Sequence, residues 1–153
     1  MKGKRLLIVG LALTTLVALA IGATGCSFDE AKDRTALAAA LAEFELKAIP
    51  LGSTVQSTDA SATVTSDGTP VATAIKEGLA GLADEWQSVI EKAKKVDGAD
   101  VAAAENAWSD LQAAADSVPE GATAGEAGAI VGGPLNHLMT VRNDLSAVAT
   151  GQK

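Results

Sequence analysis

Ile75, Leu79, Leu82, Trp86, Val89, Ala93 and Val96 recur at alternating intervals of four and three residues, an unbroken heptad seam. A second seam follows at once: Val101, Ala104, Trp108, Leu111, Ala115 and Val118, at intervals of three and four. Between them stands Asp97-Gly98-Ala99-Asp100. Its glycine suits the left-handed turn that closes one helix, and Asp100 is placed to cap the next. Neither stripe can leave water alone, so two stripes on so short a connection fold back on each other. Thr69-Pro70 marks a start, Thr69 as cap and Pro70 in the first turn, and Pro119 marks the end. The sequence therefore predicts an antiparallel helical hairpin over 70–96 and 100–118, the best-specified part of the fold. Laid in register about Gly98-Ala99, it sets Trp86 against Leu111 and Val89 against Trp108. The two indoles then fall in adjacent layers, each against a smaller side chain. Lys92, Lys94 and Lys95 lie in the last turns of the first helix, where cations suit the dipole.

The flanking segments read as further helices. Ser27-Phe28-Asp29-Glu30 fits a capping box, and Leu37, Leu41, Phe44 and Ala48 make a stripe. A helix over about 29–48 is expected, ended by Pro50, with its charged first turns (Asp29, Glu30, Lys32, Asp33, Arg34) serving as a solvated stalk. Residues 50–68 are dense in serine and threonine. Two readings are open there: a weak hairpin pairing Thr54-Val55 with Thr63-Val64-Thr65, or a mobile linker too polar to bury anything. The linker is the expectation. Thr123-Ala124-Gly125-Glu126 is a second capping box, opening a short helix that Gly132-Gly133-Pro134 interrupts. Gly128 and Gly132 also suit close contact with another helix. A last helix carries Leu135, Leu138, Val141 or Arg142, Leu145 and Val148, and frays after Thr150. Alanine is abundant, tyrosine is absent, and there are two Phe and two Trp, a composition that favours closely packed helices. The fold class expected is all-α, an antiparallel bundle of three to four helices after an N-terminal signal or anchor helix.

That leading stretch has its own grammar. Lys2, Lys4 and Arg5 precede an uncharged apolar run from Leu6 to Ile21, and small residues lead to Cys26, the one cysteine of the chain. A basic start, an apolar run and a small-residue exit make an export signal. Ala23-Thr24-Gly25-Cys26 resembles the lipobox of bacterial lipoproteins, with Ala23 where leucine is usual. The resemblance implies a signal peptide over 1–25, cut before Cys26, a diacylglyceryl group on its thiol, and usually an acylated new amine. It covers only the first 26 or so residues. An exported protein with one cysteine has no internal disulfide, and lipidation at Cys26 accounts for the leftover thiol. Two alternatives stay open: ordinary secretion by cleavage at the same bond, and an uncleaved helix, since Leu6 to Gly25 is just long enough to span about 30 Å of hydrocarbon. All three place residues 26–153, read as a single domain, outside the cytoplasm. The alanine-rich mature part is similar in composition to exported proteins of high-GC Gram-positive bacteria.

After Gly25 the chain holds 9 basic and 19 acidic residues. Such a surface disfavours nucleic acid, whose affinity comes from neutralised phosphates, and forms no polybasic patch for anionic headgroups. No metal or cofactor is expected: there is one histidine, His137, the cysteine is taken by lipid, and Asp97–Asp100 offers too few oxygens for calcium. Asp84 and Glu85 are adjacent, so on a helix they point about 100° apart and form no dyad. His137, beside Asn136, reads as a surface histidine. The expectation is a non-enzymatic cell-envelope lipoprotein, held on the extracytoplasmic face of a membrane through Cys26. It would act as a binding or structural module whose partner meets the acidic faces or residues 50–68. The alternative is a carrier that holds an apolar ligand, a lipid or isoprenoid, beside Trp86 and Trp108, although core packing is the plainer role for that pair.

Overall fold

The computed structural model describes residues 28–56 and 59–152. The apolar leading stretch, Cys26 and the Ser27 half of the first capping box lie outside the described residues.

In chain order come α1 (Phe28–Val55), α2 (Val71–Ala80), α3 (Ala83–Ala93), α4 (Val101–Asp116) and α5 (Ala124–Ala149). Contacts between them fix the directions. Leu51 of α1 meets Gly78 of α2, while Phe44 packs on Trp86 and Lys47 pairs with Glu85, both of α3. Arg34 reaches Val148 near the end of α5, and the Val55 carbonyl meets Gly128 near its start. Lys94 pairs with Glu105, which folds α4 back along α3. The chain therefore runs up, down, up and down. α2 and α3 share one leg of an all-α antiparallel bundle, and both termini of the described chain lie at one end.

Burial follows the seams. Ile75, Leu79, Leu82, Trp86, Val89, Ala93 and Val96 are all buried, as are Ala104, Leu111, Ala115 and Val118. The core runs from Leu37 to Ala149 and, among the described residues, holds no buried polar or charged residue.

Four expectations need correction. The 70–96 helix is not continuous. Gly81 and Leu82 form a tight turn, with the Leu82 amide on the Leu79 carbonyl at 3.0 Å. Gly78 and Gly81 each cost a helix about 1 kcal/mol relative to alanine, so the rod is weakest there. Gly78 in return lets Leu51 close on α2, because a β-carbon there would stand 3.2 Å from Leu51 Cδ1. The leg also starts one residue late, with Pro70 as cap, since the Thr69 carbonyl is taken by the Thr65 amide at 2.8 Å.

Second, Pro50 does not end the first helix. α1 passes through it to Val55 because Leu51 beyond it is buried. The turn before Pro50 faces outward: Leu46 and Ile49 are exposed, so water can take the place of the amide that proline lacks. Third, α5 passes through Gly132-Gly133-Pro134 unbroken, because Val131 and Leu138 on either side face one core. Fourth, the first turns of α1 are no free stalk. Arg34 forks onto Glu30 and also donates to the Val148 carbonyl at 2.9 Å, which docks them on α5.

The hairpin register is looser than its pattern implies. α4 lies chiefly along α5 and touches α3 only lightly. The Trp86 indole donates to the Ala104 carbonyl at 3.2 Å, seven residues from the Leu111 set opposite it by simple antiparallel pairing. The rings of Trp86 and Trp108 stack, 6.1 Å apart and 22° from parallel.

Two chain ends confirm their signals. Gly98 has φ of +84°, and the Asp100 side chain accepts from the Ala103 amide. Thr123 and Glu126 form the full capping box.

Substitutions test this continuity. A methyl added at Gly132 or Gly133 meets nothing within 4 Å, so alanine at either should raise stability in urea melts by roughly 0.5–1 kcal/mol. Gly128→Ala should give no such gain, because its methyl stands 3.0 Å from the Val55 carbonyl oxygen. No gain at Gly132 or Gly133 would mean that α5 breaks at 132–134. Leu82→Asp buries an unpaired charge, and loss of cooperative melting is expected; a melt like wild type would take Leu82 out of the core.

Candidate functional site

The residues singled out by sequence do not converge. Trp86 is buried, with Phe44 tilted against it at 4.8 Å between ring centroids, Trp108 stacked on it at 6.1 Å and its N–H satisfied by Ala104. Trp108 is partly buried against the same core. Two depressions open on the surface. One, of about 140 Å³, lies between the Gly98 turn and Val141, Leu145 and Val148 of α5. The other, of about 190 Å³, lies between Ser53 and Thr54 of α1 and the Val64–Ser66 loop. Neither is lined by an indole, and both are smaller than the roughly 300 Å³ at which drug-sized pockets begin. His137 is exposed on α5. Among the described residues no group of three or more His, Cys, Asp or Glu could hold a metal ion. Nor is any helix there long and apolar enough to cross a membrane.

What the structure does organise is the two ends of the bundle. At one end, α5 closes in a left-handed turn: Gly151 has φ of +72°, Gln152 donates to the Ala147 carbonyl, and Gly151 donates to Val148. That double bond satisfies the last carbonyls of the helix. Arg34 adds a cation to the same carbonyl group, where the helix dipole favours one. Phe28 stands at this end, 87% exposed.

At the other end, the serine- and threonine-rich stretch is held in place. Residues 52–55 belong to α1, so they pair with no strand. Asp59 accepts from both the amide and hydroxyl of Ser61, a local turn. The carbonyls of Ala60 and Ala62 then accept from the amides of Gly125 and Ala124 at 2.9 and 2.7 Å. With Thr123 taking the Glu126 amide, the first three amides of α5 are all satisfied. A small loop follows. Val64 bridges Pro70, the Thr65 amide donates to the Thr69 carbonyl, and Gly68 turns with φ of +86°. Gly125 is required here, since a β-carbon would lie 3.0 Å from the Ala60 carbonyl oxygen. The sequence signalled the Thr123 box but not its partners, which sit some sixty residues earlier.

Several carboxylates, and Lys47, are tuned by their hydrogen bonds. Glu126 is held below the usual carboxylate range, first by the Thr123 amide and then by its hydroxyl. Asp59 is lowered chiefly by the Ser61 hydroxyl, and Asp67 by the hydroxyl of Thr65. Glu85 is lowered, and Lys47 raised, by their shared hydrogen bond. No family model, no curated protein and no solved structure matches this chain.

The lowered carboxylates have a stability consequence of known sign. Each adds stability above its unfolded pKa, near 4, and the contribution is lost as pH falls through the lower folded value. Melting temperature should therefore drop below about pH 4. Glu126→Gln keeps an acceptor for the Thr123 amide, so it should flatten part of that acid slope while leaving the fold intact at pH 7. An unchanged slope would show that the Glu126 carboxylate plays no part in it.

Proposed function

We propose that this chain is a non-enzymatic lipoprotein of a bacterial cell envelope, a binding or structural module tethered through Cys26 to the extracytoplasmic face of a membrane. The observation that carries the reading is the junction between signal and bundle. α1 is described from Phe28, two residues after Cys26, and among the described residues the core lies within Leu37–Ala149. A cut before Cys26 therefore keeps every residue of that described core. Two acyl chains, at about 0.8 kcal/mol per buried methylene, hold a small domain where one chain would not.

The surfaces left for a partner are the acidic flanks and the held 59–70 loop, at the end of the bundle away from Phe28. That loop is stationed by backbone bonds to α5, which gives a partner a fixed shape to meet. A preformed loop binds without first being ordered, and so loses less entropy than a free linker would.

Fractionation tests the tether. Wild-type protein should pellet with membranes and be released by detergent, and Cys26→Ala should lose that behaviour. The native mass should correspond to a chain starting at Cys26 with a thiol-linked diacylglyceryl group. Identical fractionation of the two proteins, or a native chain still bearing Met1 to Gly25, would falsify the reading.

A further inference from the structure

This inference builds on the proposed tether and asks how the bundle stands on its membrane. Consider its charge by height. The contacts above place a mid-height plane near residues 41 and 42 of α1, 86 and 87 of α3, 108 and 109 of α4, and 140 and 141 of α5. Counting residues 28–152, the half that contains Phe28 and Gly98 holds 6 basic and 8 acidic residues. The other half holds 2 basic and 11 acidic. One end is close to balanced, and nearly all the net negative charge sits at the other.

Phe28 supplies the second observation. It is 87% exposed, so it contributes almost nothing to the core. It is two residues from Cys26, within about 7 Å of it along an extended chain. Acyl chains on Cys26 would therefore bring Phe28 to headgroup level, where an aromatic ring finds apolar cover.

We propose that the bundle stands upright on an anionic bilayer, with Phe28 seated in the headgroup region and the acidic half held away from the surface. α1 has 28 residues, about 42 Å at 1.5 Å per residue. Upright, the acidic half begins roughly 20 Å from the lipid, more than twice the Debye length of about 8 Å at physiological salt. Lying flat would bring its carboxylates within one Debye length of lipid phosphates, unscreened and of like sign. The surface that meets lipid is thus the Phe28 end, and its occupant is an anionic bilayer. The 59–70 loop is then the part of the molecule farthest from the membrane.

Chemical coupling separates this claim from lipidation in the cell. The chain from Cys26 contains every core residue of the described structure, and its cooperative melt is checked first. It is then joined through the Cys26 thiol to a maleimide lipid in a supported bilayer containing phosphatidylglycerol. Neutron reflectometry should give a protein layer about 40 Å thick; a layer of about 20 Å, two helix diameters, overturns the proposal. Asp110, Asp116 and Glu120 are exposed in the acidic half, and the triple variant D110K/D116K/E120K should thin the layer towards that lower value. An unchanged thickness would mean that charge does not set the posture. In Phe28→Trp, the added emission should shift to the blue on coupling, and an unshifted spectrum takes Phe28 out of the interface. These outcomes hold whether or not cells lipidate Cys26, whereas the fractionation of Cys26→Ala reports on that step alone.

Discussion

The structure depends on how one large side chain is buried in a bundle built mostly from small ones. Trp86 belongs to α3, packs against Phe44 of α1, stacks on Trp108 of α4, and gives its N–H to the Ala104 carbonyl of α4. Three legs meet on one indole. Alanine helices approach closely but bury little area per residue, so the few large residues supply much of the apolar burial. The hydrogen bond matters for a different reason. An indole buried without a partner costs free energy, and in an alanine-rich core without buried polar side chains, backbone is the acceptor left. Ala104 meets that need: its missing bulk lets the ring reach its own backbone carbonyl.

Which residues are buried was legible in the sequence; where helices break was not, and the two failures share a cause. Leu37, Leu41, Phe44, Ala48, Leu51 and Val55 continue one seam straight through Pro50, at intervals of four and three. Ala124, Val131, Leu138 and Leu145 do the same through Gly132-Gly133-Pro134, seven apart. In both places a continuing apolar stripe outweighs a local breaker. Proline cost those helices one amide on a turn, while burial beyond it kept the next turn in place. The 70–96 leg errs in the opposite direction. Its seam is unbroken and every member is buried, yet the hydrogen-bond ladder breaks at Gly81. A seam reports which side chains meet the core. It does not report whether the backbone between them stays helical.

The serine- and threonine-rich stretch was hidden for another physical reason. Polarity counts against a segment only if side-chain burial is what would hold it. Here the fastening is main-chain: two carbonyls of residues 60 and 62 complete the orphan amides at the start of α5. Such a bond needs no particular side chain from its acceptor, so it leaves no pattern to read. The sign it does leave is a small residue at the meeting point, and Gly125 is that sign. Gly128 makes the same allowance for Val55, whereas Gly132, equally plausible beforehand, has nothing near it. Only the packing tells such glycines apart.

The number of legs then decides what the ends of the molecule can do. A three-leg bundle, which the sequence also allowed, would send the last helix out at the end opposite the first residue. Four legs return it. α5 therefore finishes beside Arg34, whose guanidinium closes both the start of α1 and the end of α5. The loops at the far end, 59–70 and 117–123, carry Asp59, Asp67 and Glu120 and no cation. Parity thus separates a balanced end, which holds the first described residue and the last, from an acidic end made wholly of connections. Apart from the buried Val118 and Ala122, residues on those connections lie outside the core, while the closed end is tied to it through Arg34. If a protein is to be held at one end and recognised at the other, this division assigns each task to the end able to perform it.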